Sequence, residues 1–159
     1  MLVGDILKKK VYILAFVFFL IDLISKLVVL SISISMPLRV INKFFYIDRV
    51  TNTGAAFSIL SGNSILFILI AIAVLIYIDK YVIPDVKHYF SISLVIGGIA
   101  GNLFDRVVYG KVIDFLSFRF GSYSFPIFNL ADVFICVGAF LLIIQYIRGD
   151  LSGNKGTSK

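Results

Sequence analysis

Asp114 and Asp132 stand in this sequence without an obvious cationic partner. No basic residue lies within four positions of Asp132. Lys111 precedes Asp114, but Gly110 interrupts any helix that would pair them, and the apolar neighbours Ile113 and Phe115 argue against a freely solvated carboxylate. Two carboxyls held close resist double ionisation and share one proton near neutral pH. The ionised member can take a proton from water. The protonated member can donate to a carbonyl oxygen and later to a leaving amine, which is the chemistry of peptide hydrolysis. It needs no His, Cys or Ser, and other chemistries run short of residues. His88 is the single histidine and Cys136 the single cysteine. A zinc site needs more of both, so no metal or cofactor is expected. Ser25 and Lys26 are adjacent, but a Lys paired with Asp22 stays charged and makes a poor base. Asp132 also has a plain structural reading. Asn129 is a good helix N-cap, and Asp132 falls at the third helical position, as in a capping box. Capping does not exclude chemistry, and the helix start favours an ionised Asp132, leaving the shared proton to Asp114.

The elements that must carry these groups are membrane spans. Hydrophobic residues make up 60% of the 159 positions, and the mean hydropathy is +1.03. A soluble domain is closer to half apolar, so lipid must cover part of this one. Four apolar stretches approach the ~20 residues needed to cross the hydrocarbon core, at about 11–30, 64–83, 89–109 and 129–147. The expected fold class is therefore all-α membrane: a four-transmembrane-helix bundle. Asp22 and Lys26 inside the first stretch argue against a cleaved secretory signal. Lys8, Lys9 and Lys10 place the N-terminus in the cytoplasm, and four spans return the C-terminus there. The net charge of +6 suits membrane lipids with anionic headgroups and not nucleic acid. Residues 1–148 read as one membrane-embedded domain and 149–159 as a polar, disordered tail. The outer segment 38–61 contains Phe44, Phe45, Tyr46, Val50 and Thr51, which predicts short strands in a small extracytoplasmic β-rich segment lying on the membrane. The outer segment 110–128, with Gly110, Gly121 and Pro126, reads as a loop.

With that topology, Asp22, Lys26, Asn102, Asp105, Arg106, Asp114, Asn129 and Asp132 converge near the outer surface. Polar groups in a membrane are costly and mark function by default. Asp22 and Lys26, four apart, can form either a structural ion pair or a binding contact. Asp105 and Arg106 read as network members that hold a site. The Gly97–Gly98–Ile99–Ala100–Gly101 run favours close helix packing over substrate contact. Asn52–Thr53–Gly54 is either a turn or an edge for an extended substrate. Asp48, beside Arg49, reads as surface. Two other classes compete with a peptidase: a proton-coupled transporter, whose acids would line a path through the midplane, and a scaffold, in which the polar cluster only knits helices together.

Four blocks in order resemble the lipoprotein signal peptidase (signal peptidase II) family. They are Asp22–Leu23–Ile24–Ser25–Lys26; Asn52–Thr53–Gly54–Ala55–Ala56–Phe57–Ser58; Gly97–Gly98–Ile99–Ala100–Gly101–Asn102–Leu103–Phe104–Asp105–Arg106 continuing to Gly110–Lys111–Val112–Ile113–Asp114–Phe115; and Phe128–Asn129–Leu130–Ala131–Asp132. Leu23 stands where the family has Gln. The resemblance implies Asp114 and Asp132 as the catalytic pair. It implies supporting or substrate-binding roles for Asp22, Lys26, Asn52, Gly54, Asn102, Asp105, Arg106 and Asn129. It also implies a prolipoprotein substrate whose cysteine carries diacylglycerol, cleavage just before that cysteine, inhibition by globomycin, and a bacterial cytoplasmic membrane with the site near its outer face.

Overall fold

The computed structural model describes residues 2–32, 37–54, 62–85 and 88–149. Four helices are long and apolar enough to cross a membrane. α1 (Leu2–Ser31) begins earlier than predicted, because the Lys8–Lys10 triplet continues the helix. α2 (Ser64–Tyr77) runs into a π-helical turn at Ile78–Val82 and a 3-10 turn at Ile83–Asp85. Pro84, in that last turn, cannot donate to a continuing helix. α3 (Tyr89–Tyr109) and α4 (Leu130–Ile147) fall within a residue of their predicted bounds. Half of the apolar window of α3 is buried, against 6% for α2 and 11% for α4. α3 is therefore the central helix, and α2 gives nearly all of its surface to the surroundings.

Glycines let α3 take that place. A Cβ at Gly97 would lie 2.6 Å from Phe18 Cβ and 2.7 Å from the Ala15 carbonyl on α1. One at Gly98 would run into the Ala131 carbonyl and Ile135 of α4, and one at Gly101 into the Asp22 carboxylate. The glycine run serves close approach of backbones on two sides of one helix. At the far end from the site, Val11, Ile78, Ile83 and Ile92 form a small apolar core.

The links between α1 and α2, and between α3 and α4, lie at one end of the helices and build a single antiparallel sheet. β1 (Leu38–Ile41), β2 (Phe45–Asn52), β3 (Val112–Phe120) and β4 (Tyr123–Ser124) lie in that order. The strands expected in segment 38–61 are present as β1 and β2, while residues 55–61 lie outside the described residues. The loop expected at 110–128 is corrected: it holds a nine-residue strand and a hairpin. The two glycines that read as loop breakers are punctuation instead. Gly110 caps α3 at φ 70°, and Gly121 turns the hairpin at φ 64°. Between them Val112, Phe115, Phe118 and Phe120 supply a strand, and β2 supplies its partner.

The register between β2 and β3 decides what faces Asp114. Ile47 pairs with Leu116, then Val50 pairs with Asp114 and Asn52 with Val112. Between these pairs Phe115 of β3 alone opposes two residues of β2, so a bulge lies at Asp48 and Arg49. Without it Thr51, not Asn52, would share the face of Asp114, because side chains alternate along a strand.

Candidate active site

Each carboxylate of the Asp114–Asp132 pair is positioned by a different element, and one asparagine joins them. Asp114 is the third residue of β3 and is buried. Asp132 sits in the first turn of α4, inside the capping box expected for it. The Asn129 side chain accepts from the Asp132 amide at 2.9 Å, and Asp132 Oδ2 accepts from the Asn129 amide at 3.3 Å. The chain enters α4 along β3, with the Leu116 and Phe115 amides both donating to the Phe128 carbonyl at 2.8 and 3.0 Å. That pairing sets fully buried Asn129 beside Asp114, and its Nδ2 donates to Asp114 Oδ1 at 2.7 Å. Asn129 therefore contacts both carboxylate residues at once.

The surrounding amides complete the hydrogen bonding. Asn102 Nδ2 donates to Asp132 Oδ1 at 2.8 Å, and Asn102 Oδ1 accepts from Asn129 Nδ2 at 3.1 Å and from Lys26 Nζ at 3.3 Å. Asn52 Nδ2 donates to Asp114 Oδ2 at 3.3 Å, the contact that the β2 bulge makes possible. Asn52 Oδ1 also accepts from the Gly54 amide at 2.9 Å, closing a tight turn. The Gly54 carbonyl accepts from Arg106 Nη2 at 3.0 Å. Segment 52–54 is thus a turn with Gly54 engaged on both sides, rather than a free edge at that residue.

Asp22, Lys26 and Asp105 form a buried ion triad beneath this layer. Lys26 Nζ lies 2.6 Å from Asp22 Oδ2 and 2.8 Å from Asp105 Oδ2, with all three side chains at most 1% exposed. Lys26 Nζ is held by two carboxylates, and Ser25 Oγ donates to the Asp22 carbonyl at 2.6 Å. Ser25 and Lys26 are thus each engaged elsewhere and do not form a nucleophile pair. His88 caps the opposite end of α3, some 30 Å away along a 21-residue helix. Among the described residues no cluster of His, Cys, Asp or Glu could hold a metal ion.

Asp114 and Asp132 both line a cavity of about 600 Å³. Burial pushes the Asp114 carboxyl up to about 6, with the Asp132 charge adding to the rise, while hydrogen bonds from Asn52 and Asn129 and the charge of Lys26 oppose it. The polar wall of the cavity carries Asn52, Gly54, Asn102 and Arg106 beside the two aspartates. The remaining wall is apolar, with Phe125 to Phe128 on one side and Val133, Ile135, Cys136 and Val137 of α4 on another. Sequence reasoning passed over this apolar wall. Cys136 is exposed and lies one turn beyond Asp132. The spacing of four from Asp132 was the available signal. Leu23 does not line the cavity.

All eight polar residues expected to converge do so, from α1, α3, β3 and the start of α4. The signal peptidase (SPase) II family model matches residues 14–148. The chain belongs to the signal peptidase II family. It is 40% identical over 149 residues to the lipoprotein signal peptidase of Bacillus pumilus (strain SAFR-032), covering 91% of this chain and 94% of that protein. It is 38% identical over 141 residues to the lipoprotein signal peptidase of Bacillus subtilis (strain 168), covering 86% and 92%. A solved bacterial membrane enzyme, determined by the in meso method at 2.3 Å resolution, superposes with a TM-score of 0.79 at 32% identity, over 94% of this chain and 93% of that one. Membership makes this a multi-pass bacterial membrane protein of a peptidase family.

Proposed function

We propose that the protein is an aspartyl endopeptidase that removes the signal peptide from diacylglyceryl-modified prolipoproteins by cutting just before the lipidated cysteine. The observation that carries this reading is the meeting of Asp114 and Asp132 on one cavity, joined through Asn129. Asp132 is the ionised member. It sits at a helix start and accepts from the Asn129 amide and from Asn102. Asp114 is the protonated member, in keeping with its raised carboxyl. Asp132 takes a proton from a water, whose oxygen bonds to the scissile carbonyl carbon as Asp114 protonates the carbonyl oxygen. The tetrahedral intermediate then collapses. Its C–N bond breaks, and the amine of the lipidated cysteine leaves with the proton Asp132 took up. The hydroxyl proton of the intermediate returns to Asp114.

The lipid requirement follows from the apolar wall. Acyl chains stay in the bilayer and enter beside α4, while the peptide reaches the polar wall. Lys8, Lys9 and Lys10 orient both termini to the cytoplasm, which sets the sheet and the cavity at the outer face as one membrane-embedded peptidase domain. A globomycin-type cyclic peptide would occupy the same cavity. Against a proton relay, α3 carries no Asp, Lys, Arg or His between Tyr89 and Phe104, nor does α4 after Asp132. The test is cleavage of a diacylglyceryl-modified prolipoprotein beside its unlipidated twin. The lipidated form is cut and the twin is not; equal cleavage of both refutes the specificity.

A further inference from the structure

The Lys26 triad does more than neutralise charge, because each of its carboxylates also holds a backbone amide next to the site. Asp22 Oδ1 accepts from the Ala131 amide at 2.8 Å, and Ala131 is the residue before Asp132. Asp105 Oδ2 accepts from the Ile113 amide at 3.1 Å, and Ile113 is the residue before Asp114. Both amides need an outside partner. The Ala131 amide belongs to the first helical turn, where no intrahelical acceptor exists. Ile113 stands opposite Thr51 of β2, and on its other side the short pairing with β4 reaches only Arg119 and Phe120, so that the Asp105 carboxylate takes its amide. Gly101 keeps the first grip open, since a Cβ there would strike the Asp22 carboxylate and approach the Ala131 side chain to 3.3 Å.

We infer that Lys26, Asp22 and Asp105 act together as a caliper: each carboxylate grips the chain one residue before one member of the proposed pair, and Lys26 fixes the spacing between the grips. The inference rests on the Asp114–Asp132 reading and adds positioning residues to it. An ion pair that only sealed a helix end would need one carboxylate and no amide. Here two carboxylates from α1 and α3 reach the two segments that carry the pair, with the ammonium between them.

Two variants test it in the full-length protein. Lys26→Arg keeps both ion pairs with a longer, forked head and so alters the spacing. Asp22→Asn leaves Lys26 paired with Asp105, so no buried charge is stranded. It has one acceptor oxygen where Asp22 uses two, so one of its contacts is lost. The readouts are kcat, KM and the pH profile of kcat/KM on a lipidated substrate, with thermal unfolding alongside. The charges facing Asp114 are Asp132 from α4, Lys26 from α1 and Arg106 from α3; Arg106 and Asp132 are unchanged in both variants. Each variant should lower kcat by about a hundredfold, as expected for a small misplacement of reacting groups, with KM within about threefold. The two limbs of the pH profile should move toward each other, because carboxyls set further apart couple less. Loss of a charge alone would move both limbs the same way. The caliper is overturned if both variants melt lower but keep the wild-type kcat and profile width. A wild-type profile without two limbs removes the paired-carboxyl reading itself, and the caliper with it.

Discussion

Asn129 is the residue on which the site turns. It is fully buried, caps α4 through its side-chain oxygen and holds Asp114 through its nitrogen. Loss of a helix cap costs about 1 kcal/mol, and loss of the Asp114 contact frees a carboxylate oxygen in a buried setting. Asn129→Ala should therefore lower both the melting temperature and turnover, read by thermal unfolding and cleavage of one sample. The two aspartates should part company in stability. Asp114 has a folded-state value of about 6 against an ordinary 3.8. The unfolded chain therefore releases that proton first as pH rises. Stability falls between about pH 4 and pH 6, by on the order of 2–3 kcal/mol if the whole shift is expressed. Asp114→Asn should lack that fall, so its melting temperature should drop less across the window than that of wild type. Asp132→Asn keeps one acceptor oxygen where two are used and should be less stable by about 1 kcal/mol. Asn52 donates to Asp114 and favours its ionised form. Asn52→Ala should then move the alkaline limb of the pH profile upward; a downward shift would contradict the assignment of that limb to Asp114.

At the scale of elements, α3 owes its central place to glycines that admit α1 on one side and α4 on the other. Gly98→Ala would set a methyl against the Ala131 carbonyl and 2.7 Å from Ile135 Cγ1. Overpacking of this kind typically costs about 1–3 kcal/mol, and the displaced backbone lies next to Asp132. The expected outcome is a lower melting temperature together with lost turnover, measured on purified protein; unchanged values for both would contradict the close packing. The helices were legible in the sequence because length and hydropathy suffice to find them, and α3 and α4 fell within a residue of expectation. β3 was not legible. Gly110 and Gly121 are the same residues whether they break a loop or bound a strand, and what separates the cases is β2, sixty or more positions away from its partners. The bulge at Asp48 and Arg49 was equally hidden. It selects Asn52 over Thr51 as the neighbour of Asp114, and only the register of two distant strands reveals it.

For the whole molecule, charge placement separates two ends. Lys8, Asp79 and Tyr12 meet at one end, with Asp79 accepting from Tyr12 and lying 3.5 Å from Lys8. The triad, the amide network and the two aspartates occupy the other. The convergence of eight polar residues at one level was readable from sequence, because charge is costly in lipid and few residues carried it. The apolar wall was not, since Val133, Ile135, Cys136 and Val137 look like any lipid-facing stretch until the cavity is seen. The proposed topology can be checked with a membrane-impermeant maleimide on intact cells, in a Cys136→Ser background. A cysteine at Tyr123, in the exposed hairpin, should label directly, and one at Lys9 only after permeabilisation; the reverse pattern would invert the orientation. Turnover of a diacylglyceryl-modified prolipoprotein by Asp114→Asn and Asp132→Asn, each first shown to be folded by its melting transition, tests the paired-carboxylate mechanism directly. Both should cleave at least about a thousandfold more slowly than wild type. A folded variant of either kind that stays within about tenfold of the wild-type rate would remove that carboxylate from the chemistry.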